Sequence, residues 1–215
     1  MLFRSNSYVN QAFIQFGGLT AGRAQSFFDF VTNATLTSTA TPNPDAKVNL
    51  LAYTFSFGNG ISASLSIEDP TTAGNGNPLT TTSIRRLGAY GTLGNTNPGG
   101  IHVPDLVANI NVSQAWGSAQ IAGALHSDDA QNNTLEGSKL GFAVLGGVKI
   151  NLPMLGAKDQ FALQGTYAKG AVGYVLDAWQ NSTTAGDGGW SPYDFSTRNG
   201  TIDQASAAEI GRAHV

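Results

Sequence analysis

The sequence has no cysteine, few charges and no long apolar run. Without cysteine there is no disulfide framework and no thiolate metal site, so redox chemistry says nothing about compartment. Charged residues make up 12% of the chain, about half of the ~25% usual for soluble domains. A net charge of −3 leaves no basic footprint for nucleic acid. No apolar stretch approaches the ~20 residues of a transmembrane helix. Membrane β-barrels stay open, because their strands are only about 10 residues long and apolar on one face. The first residues, "MLFRSNSYVNQ", carry no signal-peptide core. The expectation is therefore either a protein that is not exported or a piece of a larger exported one.

What the chain does have is alternation. In "ISASLSIE", Ile61, Ala63, Leu65 and Ile67 alternate with Ser62, Ser64, Ser66 and Glu68. A period of two means a strand with one apolar and one polar face. "VNLLAYTFSF" puts Leu51, Tyr53, Phe55 and Phe57 on one side. "LVANINVS" sets Leu106, Ala108, Ile110 and Val112 against Val107, Asn109, Asn111 and Ser113. With "NSYVNQAFIQF", "LTAGRA", "SAQIAGALHS", "GFAVLGGVKIN" and "QFALQGTYAK", about eight strands are predicted. Asn59-Gly60 between two alternating runs is a strong hairpin signal.

The predicted connections alternate in length. Gly17-Gly18, Gly58 to Gly60, Gln114 to Gly117 and Leu152 to Lys158 are short. Ala24 to Lys47, Asp69 to Ile101, Ser127 to Ser138 and Gly170 onward are long and rich in Thr, Asn, Gly, Pro and Asp. Short turns at one end and long loops at the other are the plan of an outer-membrane barrel, with grease facing lipid and polar groups facing the lumen. The expected fold is all-β, an antiparallel up-and-down transmembrane β-barrel of which this chain supplies roughly eight strands. The alternative is a soluble β-sandwich that binds carbohydrate, with Trp179, Trp190 and Tyr193 as sugar-stacking residues.

Four segments carry a family resemblance: "YVNQAFIQFGGLTAGRAQSFFDF", "LLAYTFSFGNGISASLSIED", "VPDLVANINVSQAWGSAQIAGALHSDD" and "GFAVLGGVKINL". In order and spacing they resemble the alphaproteobacterial porins, the Brucella and Rhizobiales type of outer-membrane porin. The resemblance implies a 16-stranded homotrimeric barrel that passes ions and small hydrophilic solutes across the bacterial outer membrane, in contact with its lipid, with no catalysis and no cofactor. It lacks the signal peptide, the first strands and the terminal aromatic residue of that family, which implies an internal piece. Residues 1–208 are expected to be the partial barrel. The last seven, "EIGRAHV" (Glu209 to Val215), resemble the translation of a common sequencing adapter and are expected to be a non-native tail.

The same resemblance makes the segment from Ala24 to Lys47 the loop that folds back and narrows the pore. Asp29 and Asp45 would then charge one wall negatively, and Arg85 and Arg86, with Arg23 and Lys47, would face them. Opposed charges across a narrow pore orient polar solutes and sort ions by sign. The plainer reading leaves all six as solvated loop or interface residues. Phe27, Phe28 and Phe30 open this polar loop and need a dry place, so they are expected to anchor it to the inner wall. Tyr53, Phe57, Trp116 and Tyr167 lie near strand ends or turns and fit an aromatic girdle at the membrane boundary. No metal site is expected: His102 and His126 have no partner at ligand spacing, His214 lies in the suspect tail, and Asp177, Asp187 and Asp194 lack the calcium-loop pattern.

Overall fold

The computed structural model describes residues 11–31, 46–69, 97–98, 103–132, 135–156, 159–175, 195–198, 201–204 and 206–214. They form β-strands and one short 3₁₀ turn. The strands are β1 (Ala12–Phe16), β2 (Leu19–Gln25), β3 (Lys47–Gly58), β4 (Ile61–Glu68), β5 (Asn97–Pro98), β6 (Asp105–Gln114), β7 (Gly117–Asn132), β8 (Leu135–Asn151), β9 (Gln160–Lys169), β10 (Phe195–Arg198), β11 (Thr201–Gln204) and β12 (Ser206–His214). One ten-stranded sheet runs β1-β2-β3-β4-β6-β7-β8-β9-β12, with β5 paired to β7. β10 and β11 form a separate hairpin. Every pairing is antiparallel between neighbours, up and down. The sheet is open, with β1 and β12 at its edges.

The short turns fall where glycine and asparagine permit them. Between β3 and β4, Asn59 and Gly60 have φ of 52° and 76°, the positive pair that a type I′ hairpin requires. Gly60 is also pressed against the neighbouring hairpin, since a Cβ there would lie 1.9 Å from the Ser113 carbonyl oxygen. One connection differs from expectation. Ser127 to Ser138 was predicted as a long loop, yet β7 runs on to Asn132 and β8 starts at Leu135, paired through Asn132↔Leu135. The sequence there is almost wholly polar and shows no apolar alternation, which hides such a strand from a periodicity search. β12 carries the expected tail segment into the sheet, paired with β9 from Ser206↔Lys169 to His214↔Phe161.

The two faces of the sheet differ as the alternation requires. Leu65 is 50% exposed and Ile110 58%, while their neighbours Ser64 and Asn109 are 7% and 9% exposed. Leu51, Phe55, Ile67, Leu106, Ile121, Val144 and Leu163 continue the exposed apolar face across consecutive strands. No second sheet covers that face among the described residues, so the sandwich alternative fails on its first requirement. A continuous exposed apolar surface of this extent marks contact with an apolar phase. No described helix is long and apolar enough to cross a membrane.

The packed core lies on the other face, which we call inner. One row of register partners, Ala52, Ser66, Val107, Ala124, Ala143 and Ala168, crosses six strands, and all six are buried. Small side chains here leave room for something to lie across them. That something is the segment after β2.

Candidate functional site

Residues Ser26 to Val31 leave β2 and cross the inner wall as a strap. The strap has no strand or helix of its own, so its backbone groups need outside partners once buried. Five successive strands of the sheet provide one polar side chain each. Glu68 at the end of β4 accepts from the Ser26 hydroxyl at 2.7 Å and from the Phe27 amide at 2.9 Å. Asn109 on β6 donates to the Phe27 carbonyl. Gln120 on β7 donates to the Phe28 and Asp29 carbonyls at 3.2 and 3.3 Å. Lys149 on β8 donates to the Phe30 carbonyl at 2.7 Å, with its ammonium 4.6 Å from the centre of the Phe30 ring. Gln164 on β9 accepts from the Val31 amide at 3.0 Å. Each bond contributes about 0.5–1.5 kcal/mol net, but leaving such a buried group unpaired costs about 1–3 kcal/mol.

The phenylalanines supply the apolar half of this attachment. Phe28, Phe30 and Val31 are buried in one cluster with Val107, Ala122, Ala124, Ala143, Leu145, Ala162 and Ala168, and Phe27 packs against its edge. Gly147 makes room for Phe30, since a Cβ there would approach the ring to 2.5 Å. A second segment follows β9: Ala171, Tyr174 and Val175 are buried in the same cluster, and the Phe28 and Tyr174 rings meet edge to face at 4.7 Å. Tyr174 donates its hydroxyl to Asp105 Oδ2 at 2.6 Å, and His126 Nδ1 lies 2.7 Å from Asp105 Oδ1. Asp105 is the register partner of Glu68, so two neighbouring buried carboxylates hold the two inward segments.

Beside the strap, towards β1, the inner wall opens into a cavity of about 400 Å³. Its walls are Gln15, Thr20, Thr54, Ser62, Ser64, Asn111 and other neutral polar groups, with Asp29 and Phe27 on the strap side and Phe13 on β1. These groups are already in loose pairs. Gln15 donates to Thr20 at 3.2 Å, Thr54 and Ser64 hydroxyls lie 2.9 Å apart, and Asn111 donates to Gln120 at 3.2 Å.

The residues singled out in the sequence fall in several places. Asp29 is buried on the strap, where one carboxylate oxygen accepts from the Ala46 amide at 2.7 Å and from Gln25, and where it borders the cavity. By alternation Arg23 falls on the same face of β2 as the outward Leu19, and Lys47 on the same face of β3 as Leu51 and Tyr53, near the end of the sheet that carries the long connections. Asp45, Arg85 and Arg86 lie outside the described residues, as do His102, Trp179, Trp190 and Tyr193. Tyr53, Phe57, Trp116 and Tyr167 are exposed on the outer face or in the β6–β7 turn, with Tyr53 4.7 Å from Phe55 and Tyr167 6.1 Å from Phe142. Among the described residues there is no group of three or more His, Asp or Glu that could hold a metal ion.

Sequence reasoning did not find Glu68, Asn109, Gln120, Lys149 and Gln164 as a set. The signal was available only in part. All five alternate to the polar face of their strands, but which of them meet the strap depends on register between strands far apart in sequence.

The chain superposes on the crystal structure of the outer membrane channel DcaP of Acinetobacter baumannii with a TM-score of 0.64 at 16% identity. The match covers 95% of this chain and 51% of that one, so the chain spans about half the length of the channel it resembles. At this identity the likeness is one of fold. No curated protein sequence matches. Residues 4–212, nearly the whole length of an open sheet with grease outside and a strap pinned inside, match the family described as the porin subfamily, and the chain belongs to that family.

Proposed function

We propose that the chain forms part of a diffusion channel of the bacterial outer membrane, through which ions and small hydrophilic solutes pass. The observation that carries this is the inversion of the sheet: consecutive strands expose Leu65, Ile110 and their row-mates while burying Ser64 and Asn109 against a polar interior. A soluble domain gains nothing from such an arrangement, whereas a barrel in lipid requires it. Unpaired strand edges are not tolerated in lipid, so β1 and β12 call for further strands. A 16-stranded barrel, assembled as a homotrimer of the alphaproteobacterial type, accounts for them.

In this reading the strap is the constriction. It lies across β4 to β9 on the inner wall and removes cross-section from the lumen. Asp29 gives its edge a negative charge, and Asp45 adds to it. Arg85 and Arg86, which lie outside the described residues, are the proposed opposing charges of a transverse field that favours one sign of ion. Arg23 and Lys47, on the outward face of β2 and β3 by alternation, serve the membrane interface together with the girdle of Tyr53, Phe57, Trp116 and Tyr167. Planar-bilayer recording of the complete barrel tests the proposal: stepwise ion conductance supports it, and a protein that stays soluble without detergent and passes no current removes it. Neutralising Arg85 and Arg86 together should raise cation preference, read as a shift in reversal potential under a salt gradient.

A further inference from the structure

The cavity beside the strap has a composition that selects among solutes. Its wall presents amide and hydroxyl groups from five strands: Gln15, Thr20, Thr54, Ser62, Ser64 and Asn111. Two aromatic rings, Phe13 and Phe27, border the same space. Asp29 is the one ionisable group among the described lining residues, and its Oδ2 accepts from Ala46 and Gln25. At about 400 Å³, the space falls in the ~300–1,000 Å³ range of ordinary small-ligand sites.

We propose that this cavity is a subsite for an uncharged, hydroxyl-rich solute of saccharide or polyol type, a reading that rests on the channel function proposed above. A neutral hydroxyl that leaves water loses hydrogen bonds, and amides and hydroxyls return them in kind. The lining side chains suit that exchange, since Gln15 with Thr20, Thr54 with Ser64 and Asn111 with Gln120 are paired donors and acceptors at 2.9–3.2 Å. An ion fares worse, because neutral dipoles replace only part of its hydration and its desolvation is far more costly. The rings give an apolar surface for the C–H faces that a sugar presents between its hydroxyls. Together these features distinguish the cavity from a water-filled passage that sorts solutes by size and charge alone.

The test is ion current through the complete channel with sucrose or sodium gluconate added to one side. The inference predicts that sucrose interrupts the current in a saturable way, with half-effect at millimolar concentration, and that gluconate at the same concentration does not. Ser62→Asp, which places a charge in the wall, should raise the half-effect concentration of sucrose at least fivefold, and Phe13→Ala should raise it about threefold. If a variant fails to assemble, the saturation curve of the unaltered channel still decides the matter. Conductance with no saturable sucrose effect, or with gluconate equally effective, overturns the subsite and leaves the channel intact. Absence of any conductance overturns the channel reading and the subsite with it.

Discussion

Two halves of the inner wall obey one alternating pattern and carry different chemistry. On β1 to β4 and on β6 near its turn with β7, the inward positions towards the short turns, Gln15, Thr20, Thr54, Ser62, Ser64 and Asn111, border open space, while Ala24, Val48, Leu50 and Ala52 further from those turns are buried in a second apolar cluster. On β7 to β9 the inward positions are mostly Ala122, Ala124, Ala143, Leu145, Ala162 and Ala168, and they lie beneath the strap and the segment after β9. The polar side holds hydroxyls and amides that border open space and pair with one another. The other half meets protein, where small apolar side chains admit Phe28 and Phe30 and exclude water. In the covered half, Gln120, Lys149 and Gln164 break the apolar pattern, and each of them bonds a strap backbone group. Polarity on this wall thus follows what lies opposite each residue, water or backbone, rather than depth in the sheet.

The comparison can be broken most severely at Phe28, which is wholly buried between Tyr174 and the alanine row. Phe28→Ala should cost about 4 kcal/mol, by loss of burial and by the cavity it leaves, measured as urea stability in detergent, and should raise single-channel conductance as the strap loosens. Glu68→Ala removes two bonds to the strap and should cost about 3 kcal/mol; unchanged stability would detach Glu68 from the strap's support. A lysine at Ile121 on the outer face should cost about 2–3 kcal/mol in lipid, while the same charge at Ser62 on the open half of the inner wall should cost much less. Equal penalties would erase the difference between the faces. Tyr174→Phe removes the hydrogen bond to Asp105 and should cost about 1.5 kcal/mol, which sharpens how much the second inward segment adds to the first.

Much of this was legible in the strands themselves. "ISASLSIE" and "LVANINVS" state their faces by period, and the Phe27-Phe28-Phe30 cluster in a polar loop announces a dry destination. Two things were not legible. The β7–β8 hairpin extends through "DDAQNNTLEGSK", which is almost wholly polar in sequence and gives no period to read. The polar partners of the strap were hidden for a different reason. Gln120 and Gln164 look in sequence like any other lumen-facing amide, and only register across five strands brings Glu68, Asn109, Gln120, Lys149 and Gln164 onto one path. The pairing of Asp105 with His126 likewise joins residues 21 apart across a hairpin, a relation that local spacing does not show.

The central claim is which side of the sheet meets lipid. The direct measurement is a nitroxide scan along β4 and β6 in the barrel reconstituted in lipid; this sequence has no cysteine, so each introduced cysteine is the only label site within it. The account predicts high oxygen accessibility at Ile61, Leu65, Leu106 and Ile110, and high accessibility to a water-soluble nickel chelate at Ser62 and Asn111, alternating residue by residue. Oxygen accessibility that stays low at the four apolar positions, with the chelate reaching neither set in alternation, would contradict it.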